Sequence, residues 1–583
     1  MNILLTAINA KYIHSNLAVY SLRACAGEYR DAVELAEYTI NNQKDYILEE
    51  LYKRKPDVLC FSCYIWNIDY VTDIAREYKK LCPSVPIWVG GPEVSYEVEA
   101  FLRENPYIDG VMIGEGEDTF RELCGYYAHK RKLSDIAGIA FRKNSTGNST
   151  SNRTSVNNAG CKADELVFTS PRPIKNMSEI PFCYDTLDDF SNRIIYYESS
   201  RGCPFSCSYC LSSVDKTLRF RDTEIVKREL KFFIDQKVPQ IKFVDRTFNC
   251  NHAHAMELWR FIKANDNGVT NFHFEISADL LNQEELELIS DMRPGLIQLE
   301  IGVQSTNEVT IKEIHRTMKL ERLKEVVRLI QSGNNIHEHL DLIAGLPYED
   351  YDSFGRSFDE IYELKPNQLQ LGFLKVLKGS YMFEHAAEYG IVYHDKPPYE
   401  VMSTKWLSFD DVIKIKRVED MLEVYYNSGQ FEITMKLMEC IFDSAFEFFQ
   451  ELGDFYEANG YFGMSHSRIR RCEILLEFLA LYLHGCDSDD MASVGLSGNA
   501  GDRDNTDFDE NAQIYKMIQE SLIFDLYYRE NCKSRPVWAT DIGSFKHMTH
   551  AYCKNGKLSH VEPFHYIFPD KHTRKLDELP KYH

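Results

Sequence analysis

Two long stretches of this sequence repeat one rhythm, an apolar run of strand length followed by an amphipathic run of helix length. That rhythm constrains the fold more than any other feature, because strands alternating with helices build parallel sheets covered on both faces. In the first stretch, residues 1–140, the segments NILLTAIN, VELAEYTI, DVLCFSCYI, PIWVGG and DGVMIGEGE read as strands. Helical spacing covers Leu17 to Glu28, Lys44 to Lys53, Tyr70 to Cys82, Val98 to Asn105 and Thr119 to His129. DVLCFSCYI is unbroken apolar sequence, as in a strand buried on both faces. The expectation is an α/β, doubly wound, Rossmann-like domain. Its ligands would sit beyond the carboxyl ends of the strands, where glycine turns let a backbone come close. The candidate binding residues at those ends are Ser62, Gly90, Gly91, Glu93, Gly114, Glu115 and Gly116.

Residues 141–190 read as a flexible insertion and a linker. NSTGNSTSNRTSVNNAGCKA, residues 144–163, carries almost nothing apolar, and the prolines of PRPIKNMSEIPF break any element. From 191 to 405 the rhythm returns as six strand–helix units. Parallel barrels collect their chemistry at the carboxyl ends of the strands. Polar residues fall there: Asp245, Arg246, Thr247 and Asn249; Glu275, Ser277 and Asp279; Gln304 and Ser305; Asp341 and Gly345. From 406 to 583 helices dominate, at Phe409 to Ser428, Phe431 to Glu451, Arg468 to Leu483 and Gln513 to Arg529. An acidic, glycine-rich tract at 487–509 reads as disordered. Phe442, Phe446 and Phe449 fall at helical spacing and read as core.

The turn after the strand at Tyr196 and Tyr197 holds Cys203, Cys207 and Cys210, spaced C-x3-C-x2-C. Three thiolates on one short loop leave a metal centre one ligand short. A closed zinc site takes four ligands, and a closed iron–sulfur cluster takes four cysteines. The count suggests a [4Fe–4S] cluster with one iron open. A zinc loop completed by a remote residue, or three buried thiols, are the other readings. Cys250, His252 and His254 read as the start of a helix, with a second metal as the alternative.

At 583 residues the chain is too long for one core. A formal net charge of −23 argues against general nucleic-acid binding, since a phosphate backbone rewards basic surface. No run is long and apolar enough to span a bilayer. MNILLTAINAKY reads as a first strand rather than a signal peptide, and the expected location is the cytoplasm. The 16 cysteines are then mostly reduced core residues.

The run YYESSRGCPFSCSYCLS resembles the signature of the radical S-adenosylmethionine (radical SAM) superfamily, and VGGPEVS with GEGEDTF resembles the cobalamin-binding domain that precedes many of its members. The resemblance implies a partial (β/α)6 barrel and a cluster whose open iron chelates S-adenosylmethionine. It places Tyr209 near the adenine, with Asp245, Glu275 and Gln304 as contacts to the methionine or ribose and Gly345 beside the adenine. VDRTFN departs from the family's glycine-rich segment. His14 stands where some relatives carry a cobalt-ligating histidine, but Tyr12 and Leu17 replace the partners of that motif. The implied cofactors are the cluster, S-adenosylmethionine and cobalamin. The implied partners are a small-molecule substrate and an electron donor such as flavodoxin or ferredoxin. Methyl transfer to an unactivated carbon under anaerobic conditions is the favoured activity. A radical cyclisation or rearrangement, or a non-catalytic cobalamin sensor, are the alternatives.

Overall fold

The computed structural model describes residues 1–143, 165–190, 192–214, 216–484 and 505–529, with scattered positions from 535 to 566. The 144–163 insertion and residues 487–504 of the acidic tract lie outside the described residues. Two units emerge, one of 1–350 with 372–408, the other of 351–371 with 409–583.

Two large sheets carry most of the strands. One has seven strands: β1 (Ile3–Asn9), β2 (Val33–Thr39), β3 (Val58–Ser62), β4 (Ile87–Gly90), β5 (Gly110–Met112), β6 (Ile139–Arg142) and β7 (Leu166–Phe168). Their order is β2-β1-β3-β4-β5-β6-β7. The first five strands pair in parallel, and every residue of β1 and β3 is buried, as unbroken apolar sequence demands. The order reverses between β1 and β3, which opens a crevice at their carboxyl ends.

β6 and β7 correct the reading of 141–190 as insertion and linker alone, because they pair antiparallel and extend the sheet. β6 is four residues long and ends in Arg142, so it offers too little apolar alternation to register as a strand. Arg142 is tolerated in the interior because its Nε donates to the Ile108 carbonyl at 2.9 Å and Nη2 to that of Asn105 at 3.2 Å.

The other sheet has six strands: β8 (Ile195–Tyr197), then, past the short ribbon β9 (Ser200–Arg201) and β10 (Arg219–Phe220), β11 (Gln240–Phe243), β12 (Asn271–Ile276), β13 (Ile297–Gln304), β14 (His337–Ala344) and β15 (Gln368–Phe373). Their order is β15-β14-β13-β12-β11-β8, and the pairings from β8 to β14 are parallel. Burial alternates along β13: Leu299, Ile301 and Val303 are fully buried, whereas Gln298, Glu300 and Gln304 face the opposite side. This is the expected partial barrel.

In the second unit the helices include Phe409–Met421, Glu432–Met438, Ala445–Ala458, Arg468–His484 and Asn505–Arg529. The expected helix from Phe431 to Glu451 is two helices. Ser444 caps the second one, accepting from the Glu447 amide at 3.0 Å while donating to Asp359 at 2.7 Å. Phe442 therefore leaves the helix that carries Phe446 and Phe449. All three are buried, the last two against Phe358 at ring separations of 5.5 and 6.0 Å. The last helix starts at Asn505, earlier than the expected Gln513, so it takes in the end of the tract read as disordered.

Candidate cofactor site

The cysteine loop is strung between β9 and β10, which pair Arg201 with Arg219 and Ser200 with Phe220. Gly202 closes its neck at φ +93°, where an added Cβ would stand 2.5 Å from the Thr217 carbonyl oxygen. Only glycine fits so close an approach. Below the neck, Asp245 is fully buried. It accepts the Ser199 amide at 2.9 Å and the Ser199 and Ser200 hydroxyls at 2.6 Å each. Asp245 thus holds the strand that enters the loop, and its side chain is spent on protein donors. Ser213 Oγ lies 2.9 Å from the Cys207 carbonyl and 2.6 Å from that of Cys210, which draws the turn tight.

Cys203 and Cys207 are buried and Cys210 is half-buried. Burial pushes the Cys203 thiol up, and the nearby Cys210 and Cys207 push it the same way, so the three sulfurs share one neighbourhood. Cys203 Sγ lies 3.9 Å from Thr247 Oγ1, and Cys207 Sγ lies 3.8 Å from Arg316 Nη1. Arg316 also donates to the Tyr209 hydroxyl at 3.2 Å and to the Gly302 carbonyl. A convergent thiolate set beside a guanidinium fits an anionic iron–sulfur cluster. Nothing in the sequence marked Arg316, which lies far along the chain from the cysteines.

Inside the barrel, the Glu275 side chain makes no hydrogen bond or ion pair among the described residues, and burial pushes its carboxyl up to about 7 against the pull of Arg246. Gln304 sits at φ +76° with Oε1 buried and without a donor. An unpartnered carboxyl and an orphaned acceptor suit the ammonium and hydroxyl groups of S-adenosylmethionine. Deeper, Lys242 Nζ lies 2.8 Å and His273 Nε2 3.0 Å from Glu300 Oε2, while His339 Nε2 lies 3.1 Å from Asp341 Oδ1. The ligating atoms of Glu300, His339 and Asp341 are close enough for a metal. Lys242 already supplies the cation there, so this cluster reads as an internal charge network. Gly345, at φ +88°, packs where a Cβ would come 2.7 Å from Val401.

Cys250, His252 and His254 do not converge. His252 meets Glu285 at 2.9 Å, whereas His254 is buried against Ser199 Oγ at 3.0 Å and held to about 4 by that burial. His252 opens the helix His252–Ala264, capped by Asn251, as the sequence reading favoured.

The loops at the β1/β3 crevice and the two ends of the cysteine loop, Gly202 and Leu211 with Ser212, line one cavity of about 780 Å³, and the three cysteines stand behind that wall rather than on it. Ser62, Gly90, Gly91, Gly114, Glu115 and Gly116 line it from the first sheet. So do Tyr64 and Trp66, whose rings stack 4.4 Å apart. Tyr196, Arg201, Ser212 and Arg246 line it from the second. Gly91 adopts φ +124°, where a Cβ would be 2.4 Å from the Cys63 carbonyl oxygen; Gly114, at φ +74°, faces open space. A large glycine-edged hollow of this kind suits a flat macrocycle such as a corrin. His14 lines it as well, with Nδ1 2.6 Å from the Tyr196 hydroxyl.

Glu93 is the exception among the first-sheet candidates: it is absent from the cavity wall and accepts from the Tyr399 hydroxyl. Tyr209, Asp245, Glu275, Gln304 and Gly345 do not line this cavity either. Glu115, though at the wall, is tied to Arg219 at 3.2 Å and Arg201 at 3.4 Å, and Glu117 to Arg201 at 2.8 Å. Burial acts to raise the Glu115 carboxyl, but the two guanidinium groups hold it below its usual range. These pairs lock the GEGE turn to both ends of the cysteine loop. The turn reads as a glycine signature in sequence and works as an ionic clamp in space.

Three family profiles match the chain: "B12 binding domain" over residues 3–124, "Radical SAM superfamily" over 197–361, and "Protein of unknown function (DUF4080)" over 387–575. The cobalamin-dependent radical SAM methyltransferase TokK of Streptomyces tokunonensis is 27% identical over 58% of this chain and 49% of its own length. The anaerobic magnesium-protoporphyrin IX monomethyl ester cyclase of Rubrivivax gelatinosus is 22% identical over 59% of this chain and 60% of its own length. The chain thus spans about half the length of these curated relatives. Among solved structures, the cobalamin-dependent S-adenosylmethionine radical enzyme OxsB, with aqua-cobalamin and S-adenosylmethionine bound, aligns with a TM-score of 0.56. It is 15% identical and covers 91% of this chain and 80% of its own. The B12-binding match takes in the first five strands of the first sheet and ends in the helix Glu117–Tyr127, and the radical SAM match begins at the end of β8, so residues of both line the shared cavity. The chain is a radical SAM protein with an N-terminal B12-binding domain.

Proposed function

We propose that this protein is a cobalamin-dependent radical SAM methyltransferase acting on an unactivated carbon of a small molecule. One observation carries the reading: the two ends of the cysteine loop, at Gly202 and Ser212, and the glycine turns of the first sheet line a single cavity. When bound, the cluster supplies the electron that splits S-adenosylmethionine into methionine and a 5′-deoxyadenosyl radical, and cobalamin supplies a carrier for a methyl group. Cys203, Cys207 and Cys210 would hold the cluster. Tyr209, Glu275 and Gln304 would contact S-adenosylmethionine. Ser62, Gly90, Gly91, Gly114 and Gly116 would bound the corrin. The protein orients these groups and keeps water from them: Asp245 fixes the entry to the loop, and the Glu115 and Glu117 pairs to Arg201 and Arg219 fix the distance between the two cofactor edges.

The reaction is placed in a reducing cytoplasm, with a flavodoxin or ferredoxin as electron donor. Among the described residues no helix is long and apolar enough to cross a membrane. The likeness to the protoporphyrin cyclases favours a second reading, a radical ring closure without methyl transfer. Anaerobically purified protein, assayed for iron, sulfide and corrinoid and then incubated with S-adenosylmethionine and dithionite, separates these. Methyl transfer yields both 5′-deoxyadenosine and S-adenosylhomocysteine; ring closure yields only the first; a sensor yields neither. Replacing any one of Cys203, Cys207 and Cys210 by Ala is expected to remove the cluster absorption and all cleavage. Retention of both in any variant would overturn the ligand assignment.

A further inference from the structure

We propose that Arg316 is the counter-ion of the iron–sulfur cluster and sets its reduction potential. The proposal rests on reading Cys203, Cys207 and Cys210 as cluster ligands. Arg316 lies beyond the short helix Glu308–Glu313, and its guanidinium reaches two groups on the cysteine loop and one on β13. Nη1 stands 3.8 Å from Cys207 Sγ and 3.2 Å from the Tyr209 hydroxyl, and Nη2 donates to the Gly302 carbonyl. Its Nε is buried without an acceptor. Among the described residues no carboxylate lies within ion-pair distance of it. The arginines on the ribbon that carries the cysteine loop each have one: Arg201 pairs with Glu198 and Glu117, Arg219 with Glu115, and Arg221 with Glu229. Arg246 at the cavity wall has no such pair among the described residues, but it is exposed to water.

A guanidinium drawn out of water with no carboxylate beside it is costly, and the cost is offset only if another anion sits there. Three thiolates around a [4Fe–4S] core leave a net anion, and the one-electron reduction that precedes S-adenosylmethionine cleavage adds a further negative charge. A fixed cation beside one ligand sulfur stabilises the reduced cluster more than the oxidised one. Net charge and hydrogen bonds to the sulfurs are the terms by which a protein tunes such a potential. Arginine suits the place better than lysine for holding position, since its fork binds the sulfur, the phenol and a carbonyl together.

The test is a potentiometric titration of the cluster, followed by electron paramagnetic resonance, on the full chain reconstituted anaerobically with iron and sulfide. Wild type, Arg316→Gln and Arg316→Lys are compared, each with and without S-adenosylmethionine. Arg316→Gln is expected to lower the equilibrium constant for reduction at least tenfold, which is about 59 mV for a one-electron couple. Arg316→Lys is expected to stay within about threefold of wild type. A Gln variant that loads a full cluster and titrates within twofold of wild type overturns the proposal. If the Gln variant loads no cluster or melts early, the Lys variant decides: normal loading and potential support a role for the charge, and a loss as large as that of Gln overturns it. A shift seen only with S-adenosylmethionine present assigns the guanidinium to that molecule's carboxylate and also overturns the proposal. Wild-type protein without iron would remove the cluster reading itself, a different failure.

Discussion

Asp245 offers the most direct test of how the cysteine loop is held. Burial pushes its carboxyl up to about 6, against the Ser199 and Ser200 hydrogen bonds that act to lower it. A folded-state value above the unfolded one means that the stability it contributes is fully present below about pH 4 and is lost as pH rises through 6. The shift from 3.8 to about 6 corresponds to about 3 kcal/mol. Asp245→Asn removes this titration. The Asn side chain still accepts both hydroxyls that meet Oδ1, but its NH2 faces the Ser199 amide, 2.9 Å from Oδ2, and strands one buried donor at about 1–3 kcal/mol. Asp245→Ala strands two, the Ser199 amide and the Ser200 hydroxyl, because the Ser199 hydroxyl can turn to His254 Nε2 at 3.0 Å. Its cost at pH 4.5 is about 2–6 kcal/mol. Urea unfolding of the metal-free chain, followed by tryptophan fluorescence at pH 4.5 and 7.5, reads these values. The Asn variant is expected to be less stable than wild type at the lower pH and close to it at the higher. An Asn variant with the wild-type pH slope, or an Ala variant within about 0.5 kcal/mol of wild type at both values, would refute the reasoning.

Gly91→Ala places a Cβ 2.4 Å from the Cys63 backbone oxygen at φ +124°, whereas Gly114→Ala meets nothing within 4 Å. The first is expected to cost over 3 kcal/mol and the second about 1 kcal/mol, read as unfolding midpoints, and equal costs would contradict the geometry. Corrinoid retained after gel filtration should fall further in Gly91→Ala. In the second unit, Phe446 packs on Tyr351 and Phe358, so Phe446→Ala is expected to lose about 3–5 kcal/mol. A loss under 1 kcal/mol would mean that this ring lies outside the core.

Much of the architecture was legible before any coordinate. Buried parallel strands must be apolar on both faces, so β1 and β3 announce themselves, and the cysteine spacing is a local property of one loop. Short elements were not legible. β6 has four residues and ends in a buried arginine, and the break before Ser444 rests on a cap whose partner, Asp359, is remote in sequence.

The site divides along the same line. Sequence alone determined which residues lie on the glycine turns and the thiolate loop, because a turn needs its glycine and a cluster its cysteines within one short segment. Only tertiary structure decided what each polar group is for. It spent Asp245 on two serines and Glu93 on Tyr399, turned Glu115 into a clamp on Arg201 and Arg219, and brought Arg316 to Cys207. A charged side chain's role is set by which opposite charge or donor stands within a few ångströms of it, and that neighbour comes from anywhere in the chain.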